Sequence, residues 1–408
     1  AAAARHGLKF GEDICFTTSE FKGNRRDTKL QISTTGVLIN KFKKDPTLAD
    51  YNAVIVDEAH ERDLNIDLTI GLLKRANQLR AEAGQPAIKI ILASATLEQG
   101  KFAEFFGINE KARIQSEGKL HKVNEVYTES EYKFATNPVT RETVERPYPA
   151  IATQQVIDIL STTKQGDILV FMPGIQSIRD VQRQVQFSPK IRDQAVEILI
   201  LHGSNTQKER SYVLQGSRDK STRRVVISTN MAETSVTVPG IKYVVDGARK
   251  NEMQYDASTG LEPLTDVPAS QAECKQRRGR AGRITTGEYH TVLTEEEYGK
   301  LEKYPKPEIL RRELDGVVLE MLRLGITDVE NFDLPDKAPK KNIKEALRKL
   351  EMLGAITTDN QLTEIGKLMA ELPLEPRHAR VVVAAMEKGC VREAVAVTAA
   401  IGKNSIFR

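Results

Sequence analysis

Short runs of consecutive apolar residues punctuate this chain: Ala53–Val56, Ile88–Ala93, Ile168–Phe171, Ile198–Leu201, Val225–Ile227 and Tyr243–Val245. A strand with one solvated face alternates apolar and polar residues, whereas an unbroken run of this length reads as a strand buried on both faces. Longer stretches with helical spacing separate the runs. After Asp63, for example, Leu68, Leu72, Ala76 and Leu79 recur at intervals of three and four. Strands alternating with helices predict parallel α/β sheets. The polar stretch from about Val123 to Pro149, with Pro138, Pro147 and Pro149, reads as the crossover between two such domains, with a strand near Val126.

Beyond Pro305 the pattern turns helical. Arg311–Leu324 carries Leu314, Val318 and Leu322 on one face and stops at Gly325; Asn342–Leu353 carries Ile343, Leu347, Leu350 and Leu353 and ends at Gly354. The short segment Ile356–Leu362, with Asp359-Asn360 at a turn, fits the wing of a winged-helix module. A last helical segment begins near Arg377 and runs toward Arg408.

A length of 408 residues suggests roughly three domains of about 150 residues each. The net charge of +4 is too mild to imply nucleic acid by itself, so a partner must be argued from local clusters. Cys15, Cys274 and Cys390 lie far apart without metal-ligand spacing, which favours reduced thiols over a disulfide framework or a zinc site. No apolar run approaches the roughly 18 residues that span a bilayer, so no membrane partner is expected. The opening Ala1–Ala4 has no signal pattern and reads as a cut edge.

Two constellations carry chemistry. Asp57-Glu58-Ala59-His60 follows the Ala53–Val56 strand, and open parallel sheets bind ligands beyond the carboxyl ends of their strands. Two acids there suit a metal–nucleotide reaction: Asp57 and Glu58 would hold Mg²⁺, largely through water, and one of them would deprotonate the attacking water. A solvated strand-end turn is the other reading of such a pair. A zinc-protease motif is excluded, because Leu64 stands four residues after His60. The second constellation is Gln276-Arg277-Arg278-Gly279-Arg280-Ala281-Gly282-Arg283. As a continuous helix it would put Gln276, Arg280 and Arg283 within about 60° of one another and Arg278 roughly opposite Gln276. The glycines would then permit close backbone packing on another side. Arginines converging from one rigid face suit a phosphate chain; a generic basic patch is the alternative.

These blocks resemble the DEAH-box helicases. The family's name-giving tetrad is Asp57-Glu58-Ala59-His60. Other blocks stand in the family's order: Thr35-Gly36, Ser94-Ala95-Thr96, Phe171-Met172-Pro173-Gly174, Leu201-His202-Gly203-Ser204, Ser228 through Ser235, and the arginine block. The resemblance implies an α/β fold of two RecA-like parallel-sheet domains, over 1–121 and 122–305. A winged-helix module over 306–371 and the start of a helical ratchet domain over 372–408 would follow. It implies that Asp57 organises Mg²⁺, Glu58 activates water, and His60 links hydrolysis to the second domain. Ser94 and Thr96 would couple nucleotide state to strand separation. Gln276, Arg280 and Arg283 would reach across a cleft to the γ-phosphate of ATP, the last two as arginine fingers. Thr35, Gly36, Ser204 and Thr229 would touch the nucleic-acid backbone, for which hydroxyls and amides are suited. Ser94, Thr96 and Ser204 read equally as helix or turn caps when taken one at a time. Tyr255–Leu261 is similar to the family's strand-separating β-hairpin, and an ordinary surface hairpin fits the residues as well.

The implied activity is ATP-dependent, 3′-to-5′ movement along single-stranded or duplex RNA, with DNA as the alternative polymer. The setting would be cytoplasmic, or nuclear in a eukaryote, and an activator protein is left open. From another class, an ATPase-deficient nucleic-acid-binding scaffold is the competing function. The family's phosphate-binding loop, G-x-x-G-x-G-K-[ST], has no match upstream of Thr35, so the expectation is that these 408 residues alone do not hydrolyse ATP at a useful rate. The family's terminal oligonucleotide-binding domain is also unmatched, and truncation at both ends is the reading favoured. Arg278 stands where the family commonly has alanine. Arg249 stands where relatives place an aromatic residue against the base; a guanidinium plane can stack there too, which makes Arg249 a candidate adenine contact.

Overall fold

The computed structural model describes residues 7–401 except 10, 19–27, 96–98, 110–111, 113, 116–120, 137–142, 217–218, 220, 234–235 and 284. The chain forms two compact units. The first comprises Ala1–Ala112, Gln254–Glu262 and Lys306–Arg408; the second comprises Arg113–Met253 and Pro263–Pro305.

The first unit opens with a parallel pair, β1 (Ile14–Thr17) and β2 (Leu30–Ser33), followed by α1 (Thr35–Lys44). Neither strand is among the runs named above: β2 alternates apolar and polar residues, and the three apolar residues of β1, Ile14–Phe16, stand alone among polar neighbours. A second parallel pair, β3 (Ala53–Val56) and β4 (Lys89–Leu92), flanks α2 (Leu64–Glu82), and α3 (Gln99–Phe106) follows. Asp63 caps α2, its Oδ1 accepting from Ile66 N at 2.7 Å. Burial on both faces, expected for β3 and β4, is corrected here. Val54 and Val56 turn into the core while Ile55 and Ile91 are 58% and 49% exposed among the described residues. An apolar run is thus compatible with one covered face, and the run alone does not count the faces.

The second unit carries β5 (Val123–Val126), the short antiparallel pair β6 (Phe134–Thr136) and β7 (Thr143–Glu145), α4 (Tyr148–Thr162), β8 (Asp167–Phe171), α5 (Ile175–Gln186), β9 (Val196–Leu201) and α6 (Gln207–Gln215). Then come β10 (Arg223–Ser228), β11 (Ile241–Asp246), β12 (Arg249–Met253), β13 (Leu264–Pro268), α7 (Gln271–Arg278), β14 (Gly287–Thr291) and α8 (Glu295–Lys300). Six strands make one parallel sheet in the order β5-β14-β11-β8-β10-β9. One face packs Ile151, Val156 and Leu160 of α4 with Ile178, Val181 and Val185 of α5. The other packs Val213 of α6 and Cys274 of α7. Here Ile168–Phe171 and Val225–Ile227 are essentially solvent-free, buried on both faces as expected, whereas Ile198–Ile200 on the edge strand β9 are only half-buried.

The chain then supplies the first unit with α9 (Asp315–Arg323), α10 (Lys340–Met352), α11 (Glu364–Glu371), α12 (Pro376–Lys388) and α13 (Val391–Ile401). Gly354, at φ +72°, takes the left-handed step that ends α10, and Ile356 pairs antiparallel with Leu362 as the wing of a winged helix requires. Helices α9 to α12 share one core with α1 and α2: Ile39, Phe42, Leu68 and Leu72 lie in the same cluster as Ile309, Val318, Ile343, Leu350, Met369 and Val383. Gly71 of α2 shows how close the packing is, since a Cβ there would lie 2.6 Å from Asp333 O. Cys15 and Cys274 are buried free thiols and Cys390 is exposed. Among the described residues no helix is long and apolar enough to cross a membrane.

Candidate functional site

In the first unit the acidic tetrad sits at the carboxyl end of β3. Ala93 N donates to Val56 O at 2.9 Å and Ala59 N donates to Ala93 O at 3.0 Å, so the tetrad turns over the end of β4. This brings Ser94, whose hydroxyl is buried without a hydrogen-bond partner among the described residues, beside the acidic turn. Thr96, expected to act with Ser94, lies outside the described residues.

Glu58 adopts the left-handed conformation at φ 51° and Arg62 does so at φ 50°. Non-glycine residues held there are strained by about 1–3 kcal/mol, and such strain persists only where the surroundings over-determine it. Arg62 supplies much of that determination. Its guanidinium clasps buried Asp67 through Nε–Oδ1 at 2.7 Å and Nη2–Oδ2 at 3.0 Å, and stacks 5.2 Å from the Phe102 ring centroid. Asp336 closes the pair into a triad, and Glu308 N donates to Arg62 O at 3.0 Å. Within the turn, Asp57 is exposed and its Oδ1 accepts from Glu58 N at 2.9 Å. Glu58 Oε2 lies 3.4 Å from Nδ1 of buried His60. A pair of partly exposed carboxylates on a fixed backbone is a hard-oxygen donor set of the kind that takes Mg²⁺ with its waters. Thr35 is the first residue of α1 and Gly36 the second, exposed with open space around its Cα. Amide groups at such a helix start suit an anionic oxygen.

In the second unit, strand polarity sorts the remaining residues onto two edges. Phe171-Met172-Pro173-Gly174, Leu201-His202-Gly203-Ser204 and Ser228-Thr229 leave the carboxyl ends of β8, β9 and β10, which are neighbours in the sheet. Ser204 is exposed and held by His202, whose Nδ1 accepts from Ser204 N at 3.2 Å and lies 2.9 Å from Ser204 Oγ. Burial lowers the His202 pKa and so favours the neutral ring, and the Ser204 N–H makes Nδ1 its acceptor. Thr229 is buried rather than presented at the rim.

The turn after α7 that carries Arg280 to Arg283 lies at the opposite, amino edge, whereas Arg277 of the same block reaches Asp246 at the carboxyl end of β11. The continuous helix expected through Arg283 does not form: α7 ends at Arg278, and Arg280 N and Ala281 N bond back three residues at 3.0 and 3.1 Å. That tighter turn breaks the 100° step on which the shared face was argued. Convergence arises another way. Arg280 is buried and Nη1 donates to Val236 O at 3.0 Å, while Arg283 is exposed and bonds Thr237 Oγ1 in the same segment. Arg278 turns elsewhere and pairs with Glu125. Gly282 packs as expected, since a Cβ there would meet His121 O at 2.8 Å. Gln276 is half-buried in the last turn of α7. Arg249 opens β12, paired with Asp266 at 2.8 Å and 5.6 Å from the Tyr148 ring centroid.

Sequence reasoning missed Arg277. It is 1% exposed, donating from Nε to Glu233 Oε2 and from Nη1 to Asp246 Oδ1, both at 2.8 Å, with its guanidinium 5.2 Å from the Phe171 ring centroid. Tyr289 Oη donates to the other Asp246 oxygen at 2.8 Å. Burial pushes the Glu233 carboxyl up to about 7 against the pull of Arg277. The sequence offers half of the signal: Asp246 ends a buried strand, where an acid needs a cation, but nothing in the sequence says which cation reaches it.

A parallel sheet with this arginine block, an acidic turn ending in His60, and a following winged helix together define a DEAH-box helicase core, and the chain is a DEAH-box helicase homologue. Residues 152–285 match the helicase conserved C-terminal domain and residues 346–374 the winged-helix, helicase-associated HA2 domain. ATP-dependent RNA helicase HrpA of Escherichia coli (strain K12) is 37% identical over 381 residues, covering 92% of this chain and 28% of HrpA. ATP-dependent RNA helicase DHX33 of Mus musculus is 33% identical over 405 residues, covering 98% of this chain and 56% of DHX33. Among solved structures, the E. coli DExH-box NTPase HrpB superposes with a TM-score of 0.80 at 29% identity, over 99% of this chain and 47% of that one. The chain thus spans between about a quarter and somewhat over half the length of these curated relatives.

Proposed function

We propose that this chain is the motor core of an ATP-dependent RNA helicase or translocase that moves 3′ to 5′ in a cytoplasmic setting. The observation that carries the reading is the acidic turn: Glu58, held left-handed at the carboxyl end of β3, with its carboxylate 3.4 Å from His60. Asp57 and Glu58 are the residues to hold Mg²⁺, largely through water; the ion supplies neutralisation of phosphate charge. Glu58 orients the attacking water and accepts its proton, and His60, Ser94 and Thr96 pass the state of the nucleotide onward. Gln276, Arg280 and Arg283 serve the charge that builds on the γ-phosphate. Arg249 contributes a flat cationic surface for the adenine. Thr35, Gly36, Ser204 and Thr229 serve the RNA backbone. The relatives named as ATP-dependent RNA helicases support RNA as the polymer.

The test is RNA-stimulated ATP hydrolysis by the intact protein. Glu58→Gln is expected to lower turnover by about 100-fold or more while nucleotide affinity stays within a few-fold of wild type. Arg249→Ala is expected to weaken nucleotide binding instead. Undiminished turnover in Glu58→Gln would remove the catalytic assignment, and unchanged affinity in Arg249→Ala would remove the adenine contact.

A further inference from the structure

Helix α10 has two unlike sides. Ile343, Ala346 and Leu350 are buried. Lys340, Lys341, Lys344 and Arg348 are exposed and, at 100° per residue, share an arc of about 100° on the other side. These four cations and Glu345 line a cavity of about 450 Å³ whose remaining lining residue is Ala257, in the turn between β12 and β13. The lone carboxylate is already engaged: Glu345 accepts from Arg348 Nε at 3.0 Å and Nη2 at 2.6 Å, with a weaker pull from Lys341. Lys340, Lys341 and Lys344 form no ion pair among the described residues. The groove therefore keeps the charge of three lysines unneutralised.

The wall opposite the helix is fixed. Tyr255 N donates to Arg311 O at 2.6 Å, and Lys349 Nζ donates to Tyr255 Oη at 3.0 Å. Glu262 Oε1 accepts from Arg312 Nε at 2.7 Å and from Glu313 N at 2.8 Å. Inside the turn, Asp256 Oδ1 accepts from Ser258 N at 2.8 Å. Both walls are thus in place before any ligand arrives, which lowers the ordering cost of binding. Lys340 and Lys341 are also the first residues of a 13-residue helix that lacks a side-chain cap, so unsatisfied amides and the helix dipole add to the positive potential.

We propose that this groove between α10 and the hairpin turn binds the sugar–phosphate backbone of nucleic acid, with Lys340, Lys341 and Lys344 as the phosphate contacts. The inference rests on the helicase reading and extends it to three lysines of α10 outside the residues assigned above. The groove's chemistry favours a phosphate chain over an acidic peptide. Peptide interfaces draw their affinity from buried aromatic or aliphatic anchors, whereas among the described residues lining this cavity the apolar surface comes from Ala257 and the stems of the charged side chains. Lysines are point charges on flexible stems, able to follow a phosphate chain without fixing its orientation. Backbone contacts of this kind position a polymer without reading its sequence.

The experiment compares the intact wild-type protein with Lys340→Gln/Lys341→Gln/Lys344→Gln and with the corresponding triple arginine variant. Affinity for an RNA duplex with a 3′ single-stranded tail is measured across a salt series, and ATP hydrolysis is measured without RNA. The glutamine variant is expected to bind about 10-fold more weakly near 0.1 M salt, with the slope of log affinity against log salt shallower by roughly 2–3. The arginine variant should restore both, and basal hydrolysis should not change. Equal affinity and slope in wild type and the glutamine variant would overturn the groove. So would a loss confined to a polyglutamate probe, which would make the occupant a protein. Failure of the motor reading is separable, because it would appear in wild type as RNA-independent turnover or as indifference to Glu58→Gln.

Discussion

Arg277, Arg278 and Arg280 stand within four residues, and their surroundings have almost nothing in common. Arg277 is sealed between Glu233 and Asp246; Arg278 is a half-exposed partner of Glu125; Arg280 reaches the Val236 carbonyl at the amino edge of the sheet. Substitution by alanine should therefore have three outcomes. Arg277→Ala strands two buried carboxylates and is expected to cost about 3–5 kcal/mol of stability. Arg278→Ala removes one partly solvated pair and should cost under about 1 kcal/mol, with hydrolysis unchanged. Arg280→Ala should leave the fold intact and slow hydrolysis about 100-fold or more. Urea unfolding alongside turnover assays on the intact protein separates the three. Equal losses of turnover in Arg278→Ala and Arg280→Ala would end the phosphate assignment. Arg278 and Arg280 do have different partners, but the 100° spacing that set them apart in the sequence does not explain it, because α7 stops at Arg278. The role of Arg277 was not legible in the sequence, because its partners lie 31 and 44 positions away in the chain.

Among elements, α9 carries an unusual first residue. Asp315 is 2% exposed at the helix start, and burial, aided by Glu313 and Glu375, pushes its carboxyl up to about 6. A carboxyl raised on folding stabilises the folded state fully below its unfolded value near 4, and that stability is lost as pH climbs through about 6. On the usual conversion the swing is at most about 3 kcal/mol. Asp315→Asn should accordingly melt at a higher temperature than wild type at pH 7.5, with the gap closing toward pH 4. A gap that is constant with pH would show that Asp315 does not titrate in this range. Element type was well announced by the sequence for α2, α10, β8, β9, β10 and β11, since long periodic or wholly apolar segments leave little choice; β14, whose residues Gly287–Thr291 contain no apolar run, was not announced. The termini were announced less well: α9 begins at Asp315 rather than near Arg311, because a separate short turn over Glu308–Leu310 is tied to Arg62 by a backbone bond.

At the level of the whole molecule, the order of motifs along the chain revealed the class of fold, but it did not reveal which segments would pack together. Motifs are local, whereas the first unit is assembled from 1–112, 254–262 and 306–408. The second unit draws its two cores from residues between 123 and 301. A fragment ending at residue 305 should thus leave α1 and α2 open to protease while the six-stranded sheet resists. Equal resistance of the two would contradict the shared core. During synthesis the same division imposes a delay. Ile39, Phe42 and Leu72 leave the ribosome long before Ile309, Ile343 and Val383, the neighbours that cover them. At roughly 5–20 residues per second they wait on the order of tens of seconds with greasy surface bare. Every newly made copy must pass through that interval.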